Sequence, residues 1–156
     1  MTDDQPGDGP AADATDRALR SAARMYADDQ VVKALRISID GVAPGQATAR
    51  MRVAADMVNG HGIAHGGYVF LLADTAFAYA CNSHGPATVA RQCEITFLSP
   101  AREGDDLTAA ATERVRLDRN GIYDISVRRA NGDVLAEMRG HSRTVGPDPG
   151  AAGGSG

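Results

Sequence analysis

Between Gly66 and Ser83 the chain carries one formally charged side chain, Asp74, in its most apolar stretch: Gly-Gly-Tyr-Val-Phe-Leu-Leu-Ala-Asp-Thr-Ala-Phe-Ala-Tyr-Ala-Cys-Asn-Ser. A helix that is apolar all round belongs in a core, so the fold must enclose this one on most sides. A carboxylate there costs free energy unless it is paired, hydrogen-bonded or neutralised. Carboxylates perturbed in this way gather at functional sites. The plainer alternative is that Asp74 faces solvent or caps a neighbouring group. The run approaches membrane-span length, but Asp74 at its middle and its Ala, Gly and Thr content argue for a buried helix.

The 156-residue chain suits one domain with a full core. Its net charge of −4 argues against a nucleic-acid partner, which would need clustered Lys and Arg. Two cysteines, Cys81 and Cys93, do not make a disulfide framework. The first ten residues are acidic and polar and lack the basic and apolar regions of a secretory signal. The expectation is a soluble, cytoplasmic protein with no membrane contact.

Residues 1–14 and 146–156 are rich in Gly, Pro, Ala and Asp without an apolar period and are expected to be disordered tails around one domain at 15–145. Thr15 to about Gln30 reads as a helix whose inner face carries Leu19, Ala22, Ala23 and Tyr26. Strands are predicted at Leu35–Ala43 and Gln46–Ala55 around a Pro44-Gly45 turn. A loop from Met57 to Gly66 leads into the apolar helix, which runs to about Asn82. The second half alternates with period two, the mark of strands with one buried face.

A two-residue Asn131-Gly132 turn pairs Val127 with Ala136 and Ile125 with Met138 on one face, and Asp124 with Arg139 and Ser126 with Glu137 on the other. At Asn120-Gly121 a three-residue loop, Arg119–Gly121 with Gly121 left-handed, sets Leu117 against Tyr123. The order is helix, two strands, long buried helix, four strands. The fold class is α+β, a curved antiparallel sheet wrapped around one central helix.

The loop before the helix reads Asn59-Gly60-His61-Gly62-Ile63-Ala64-His65-Gly66-Gly67. Gly66 and Gly67 leave the first helical N–H groups unscreened at the positive end of the helix dipole, a seat for an oxyanion or a polarised carbonyl. The same glycines would also serve turn geometry alone. His61 and His65 are four apart, but so many glycines make a poor helix and no Cys or carboxylate lies close by in sequence, so metal binding is not expected. Cys81 near His84 suggests a nucleophile and its base, although a thiol on the apolar helix reads better as a small core residue.

The run His65-Gly66-Gly67-x-x-Phe70-x-Leu72-Ala73-Asp74-Thr75-Ala76-Phe77-Ala78-Tyr79-Ala80-Cys81-Asn82-Ser83, preceded by Asn59-Gly60-His61, resembles the hot-dog-fold acyl-CoA thioesterases. It is most similar to their phenylacetate-degradation branch, which acts on phenylacetyl- and hydroxyphenylacetyl-type CoA esters. The resemblance continues through Phe97-Leu98-x-Pro100, Gly104-Asp105, Gly121–Ile125 and Arg139-Gly140 and covers roughly residues 20 to 146. It implies a hot-dog fold and a hydrolase without cofactor. It also implies Asp74 as the catalytic acid residue, Gly66 as the amide that polarises the thioester carbonyl, and Asn59 as a side-chain amide placing the carbonyl or the water. His65 orients the loop; Gly67 and Thr75 match substrate-contacting positions. Homodimers that pair into homotetramers are implied as well.

Helix geometry adds a constraint of its own. Asp74 lies eight residues beyond Gly66, about 12 Å along a straight helix. One carbonyl cannot stand within hydrogen-bond reach of both. Either the two act on different parts of one ligand or they come from different subunits, and the resemblance favours the second. Asp74 would then deprotonate a water or attack the carbonyl itself. The phosphates of coenzyme A call for cationic contacts; Arg139 and Arg143 are the candidates, with Arg91 and Lys33 behind them. Arg139 is also within reach of Asp124 across the hairpin. Two other functions fit the same pattern: a hydratase or dehydratase using His65 with Asp74, and a non-catalytic acyl-CoA-binding domain.

Overall fold

The computed structural model describes residues 9–147. Six antiparallel strands form one sheet in the order β1-β2-β4-β5-β6-β3. They are β1 (Ser38–Ala43), β2 (Gln46–Arg52), β3 (Thr88–Phe97), β4 (Asp106–Leu117), β5 (Asn120–Arg129) and β6 (Val134–Thr144). Three helices accompany them: α1 (Pro10–Asp28), α2 (Gln30–Ala34) and the long α3 (Gly66–Asn82). The sheet curls around α3, which is the predicted hot-dog arrangement.

Helix α3 buries Val69, Leu72, Ala73, Ala76, Phe77 and Ala80 against the sheet. Full burial of Leu72 and Phe77 stabilises by roughly 1.5–3 kcal/mol each. Phe77 presses so closely on β6 that a Cβ at Gly140 would lie 2.8 Å from its ring. The enclosure expected from the apolar pattern is incomplete in one chain. Tyr68, Phe70, Leu71, Asp74, Thr75 and Ala78 remain half-buried.

Helix α1 starts at Pro10, inside the expected tail, because Pro is pre-set for the first helical turn. Residues 1–8 and 148–156, the rest of the expected tails, lie outside the described residues. The inner face of α1 is also rotated from the predicted one: Ala18 and Ser21 are buried, while Leu19 and Tyr26 stay about half exposed. Ser21 Oγ donates to the Asn82 carbonyl at 2.7 Å, and that bond to the end of α3 sets the rotation.

The first strand was predicted from Leu35, but β1 starts at Ser38 because residues 35–37 close α2. The Arg36 N–H donates to the Lys33 carbonyl and the Ile37 N–H to the Val32 carbonyl, a Schellman ending. Arg36 occupies its left-handed position at φ 54°, where glycine is the usual residue, at a cost of roughly 1–2 kcal/mol. The second strand likewise stops at Arg52, before the predicted Ala55, which opens a short 3₁₀ turn at Ala55–Met57.

The β5–β6 pairs are those predicted, Asp124 with Arg139 through Val127 with Ala136. The tip differs. Arg129 N–H donates to the Asp133 carbonyl, so the loop holds three residues, with Gly132 at φ 94°. A bulge at Leu135 absorbs the extra residue and restores the register.

The β4–β5 expectation is corrected. Leu117 pairs with Asn120, and Tyr123 faces Glu113. The turn is Asp118-Arg119, with Asp118 supplying the left-handed residue at φ 53°. Gly121 lies in the strand for lack of space: a Cβ there would stand 2.6 Å from Ser142 Oγ and 2.8 Å from the Tyr123 ring. A bulge at Arg114 reverses the alternation of β4, so Val115 and Leu117 beyond it lie on the exposed side.

Candidate active site

The segment before α3 is folded on itself by its own asparagine. Asn59 Oδ1 accepts the His61 N–H at 2.9 Å, and the Asn59 N–H donates to the Ile63 carbonyl at 2.8 Å. Gly62 takes a left-handed φ of 74° to close the loop. Its base is fixed from two sides, by the His65 N–H on the Met57 carbonyl (2.8 Å) and the Ala64 N–H on the Ala101 carbonyl (2.7 Å). The Asn59 carbonyl oxygen is thus used internally, and its amide NH₂ is left for other partners.

His65 caps α3. Its Nδ1 accepts the Gly67 N–H at 3.1 Å. This sorts the two glycines. The Gly67 amide is held by the imidazole, whereas the Gly66 N–H has no acceptor among the described residues. A Cβ at Gly66 would sit 3.1 Å from the Phe97 ring, so the bare backbone there lets α3 begin directly against β3. Sequence reasoning placed Phe97 in a matching motif but not beside this amide.

Asp74 lies two turns further along the same helix. It is half-buried and has no hydrogen-bond or ion-pair partner among the described residues. Burial lifts its carboxyl above the ordinary aspartate range. Its neighbours show in the thiols. Burial first and the Asp74 charge second raise both Cys81, to about 12, and Cys93 on β3. Thr75 Oγ1 donates to the Leu71 carbonyl at 2.8 Å.

Cys81 is no nucleophile in this setting, because its thiol stays protonated and buried. His84 turns instead to Glu113, Nε2 to Oε2 at 2.6 Å, and the Tyr123 hydroxyl donates to the same oxygen at 2.7 Å. Burial alone would raise Glu113, but these hydrogen bonds outweigh it and its carboxyl is lowered. This cluster comes from three separated segments, so no local motif announced it. Among the described residues no group of His, Cys, Asp and Glu has the arrangement of a metal site.

Of the arginines expected at coenzyme A, Arg139 has a carboxylate partner and Arg143 only an amide oxygen. Arg139 Nε reaches Asp124 Oδ1 at 2.9 Å, and Arg143 approaches Asn120 Oδ1 at 3.5 Å, as does Arg91. No helix among the described residues is long and apolar enough to cross a membrane.

Comparison with known proteins bears on this geometry. The thioesterase superfamily model matches residues 61–136. The chain is 46% identical over 130 residues to the Escherichia coli K12 acyl-coenzyme A thioesterase PaaI, covering 83% of this chain and 93% of that one. It is 32% identical over 115 residues to human acyl-coenzyme A thioesterase 13, covering 71% and 81%. The solved structure of E. coli PaaI superposes with a TM-score of 0.85 at 44% identity, covering 86% of this chain and 98% of the other. An unscreened amide at the start of a wrapped helix, an unpaired carboxylate further along it and a likeness that spans most of both chains agree. The chain belongs to the thioesterase superfamily, as a hydrolase among the acyl-CoA thioesterases of the PaaI type.

Proposed function

We propose that the protein hydrolyses aryl-acetyl-CoA thioesters, phenylacetyl-CoA or hydroxyphenylacetyl-CoA, to the free acid and coenzyme A. The E. coli protein that it resembles comes from the phenylacetic acid degradation operon, and this supports the choice of acyl group. The observation that carries the chemistry is the pair on α3: a Gly66 N–H without an acceptor and an Asp74 carboxylate without a partner. The amide, backed by the helix dipole, stabilises charge developing on the thioester oxygen. Asp74 takes a proton from the attacking water, a role suited to a carboxyl whose pKa burial has raised toward working pH. His65 holds the loop and the Gly67 amide in place, and the free amide of Asn59 orients the carbonyl or the water.

The two groups work on one carbonyl only if they come from two subunits. The sheet edge supports such a dimer. β3 is a ten-residue edge strand with β6 on one side only, and a long open edge invites a partner strand. Gly66 lies at Phe97 and Asp74 near Cys93. Four strand residues span about 13 Å, close to the separation along the helix. Antiparallel pairing of β3 with its copy, centred on Ile95, sets Phe97 opposite the partner's Cys93. Each Gly66 amide then faces the other chain's Asp74, with two equivalent sites per homodimer. Such dimers pair into a homotetramer that works in the cytoplasm.

The test is thiol release from phenylacetyl-CoA by the wild type and Asp74→Ala, together with the mass of each in solution. Loss of turnover with the dimer intact supports the reading. A variant that keeps wild-type kcat, or a wild type that converts a hydroxyacyl-CoA without releasing thiol, ends it.

A further inference from the structure

Helix α1 carries an apolar stripe that the core does not use. Leu19, Ala22, Ala23 and Tyr26 share one face at helical spacing, yet the bond from Ser21 Oγ to the Asn82 carbonyl turns Ala18 and Ser21 inward in their place. Leu19 and Tyr26 are left 51% and 43% exposed. They stand two turns apart, about 10 Å along the helix, with only the small Ala22 and Ala23 between them. The result is a groove of about 460 Å³ between α1 and β1, with Ser38, Ile39 and Val42 on its other wall. That is the size of a small-molecule site, and the lining is mostly apolar, as in such sites.

Tyr79 of α3 lines the same groove. Its side chain is fully buried, and its hydroxyl is the one buried side-chain oxygen or nitrogen without a hydrogen-bond partner among the described residues. An unpaired buried hydroxyl is destabilising, and phenylalanine would fill the same space without that cost. The hydroxyl therefore calls for a partner from outside the chain. Burial first, then the charge of Asp29 and the phenol of Tyr26, push its pKa up to about 12, so the group keeps its proton. The influence of Tyr26 sets the hydroxyl at the Tyr26 end of the groove, under a ring exposed enough to turn outward.

The charges select the occupant. Asp40 lines the groove and is already matched by Arg50 at 2.6 Å. Asp29 acts on Tyr79 from beyond the lining, and its Oδ1 is spent on the Val32 N–H. An anion meets two carboxylates here, and a cation finds no unmatched carboxylate in the lining. The bulge at Asp40 breaks the regular edge of β1, which disfavours an added strand. Tyr79 also lies five residues beyond Asp74, about 140° around α3 from it, so the groove and the catalytic carboxylate are on different sides of the helix.

We propose that the groove between α1 and β1 binds a small uncharged aromatic molecule, its ring between Leu19 and Tyr26 and its carbonyl oxygen accepting a hydrogen bond from the Tyr79 hydroxyl.

The experiment uses the full chain and the variants Tyr79→Phe and Ala23→Leu. The first removes only the hydroxyl. The second adds volume at an exposed helical position and fills the groove without touching the core. Calorimetry is run with acetophenone and three molecules of similar size: ethylbenzene, phenylacetate and phenethylamine. Acetophenone is expected to bind Tyr79→Phe about fivefold more weakly than wild type, the effect of one lost neutral hydrogen bond. It should bind Ala23→Leu about tenfold more weakly, the effect of an overfilled site. Ethylbenzene should bind the wild type and Tyr79→Phe alike, and any binding of phenylacetate or phenethylamine should be the same in all three proteins. Without ligand, the Tm of Tyr79→Phe should hold or rise, and both variants should keep the wild-type rate of thiol release. Acetophenone binding that neither variant weakens lies elsewhere and overturns the proposal. A lower Tm for Tyr79→Phe shows that the hydroxyl already has a partner and overturns it as well. Phenethylamine binding that both variants weaken makes the groove a cation site, and a mass in solution that falls in Ala23→Leu makes it an interface between copies; either result overturns the assignment.

Discussion

Asp74 on α3 and Glu113 on β4 are both half-buried carboxylates, and their surroundings push them in opposite directions. Asp74 has lost water and gained no partner, so its neutral form is favoured. Glu113 has lost water as well, yet Tyr123 and His84 donate to it and the charged form wins. Loss of water alone therefore says little about a carboxylate until its donors are counted. The unpartnered one is free to exchange protons with a substrate water, and the partnered one ties β4, β5 and the end of α3 together.

The contrast breaks most visibly in activity. Asp74→Ala should lower kcat between about 100- and 10,000-fold, the range for a lost general base, and leave Tm within a few degrees. Glu113→Ala should do the reverse. It strands the Tyr123 hydroxyl and the His84 ring, costs about 2 kcal/mol in denaturant unfolding, and spares kcat. A kcat loss in Glu113→Ala as large as that in Asp74→Ala would dissolve the distinction.

Gly66→Ala comes next. The new methyl meets the Phe97 ring at 3.1 Å, which displaces the amide, and a loss on the order of tenfold in kcat is expected. The smallest effects are in the pH dependence of stability. Glu113, lowered in the fold, contributes stability above its unfolded pKa and loses it as pH falls through the folded value. Asp74, raised in the fold, has the opposite sign: it costs stability as pH rises past the ordinary aspartate value. Asp74→Asn should therefore raise Tm slightly at neutral pH and not at all in acid, as scanning calorimetry at the two pH values would show. A variant that melts lower at neutral pH would place a hidden donor beside Asp74.

Much of the fold was legible because its signals are local. The apolar run gave α3 to its last residue, and the Asp124–Arg139 pairing followed from charge and alternation. Other features answer to contacts between distant segments. The face of α1 is set by Ser21 on Asn82, and no period within the helix reports that bond. Gly121 looked like a turn glycine, yet Ser142 and Tyr123 require its small size within the strand, and Asp118 makes the turn. At the site, Asp74 and Gly66 stood out by residue type and helix position. The partners of Glu113 did not, since they lie 29 and 10 residues away from it. Which guanidinium groups are neutralised was hard to read for the same reason: it depends on carboxylates brought in from other segments, as Asp105 is for Arg129.

The bulge at Leu135 also bears on how such a chain can change. It places the mismatch between loop length and strand register between the Val127–Ala136 and Arg128–Val134 pairs, next to the hairpin end. The tip at 130–132 can gain or lose a residue and the discrepancy is taken up there, while Ile125 and Met138 stay opposite each other. The hairpin end is tied down elsewhere, by Arg129 to Asp105 and the Pro100 carbonyl, and by the Leu135 carbonyl to the Leu98 N–H. A change of length at the tip is therefore passed to Pro100 and Ala101, and through the Ala64 N–H to the loop that precedes α3.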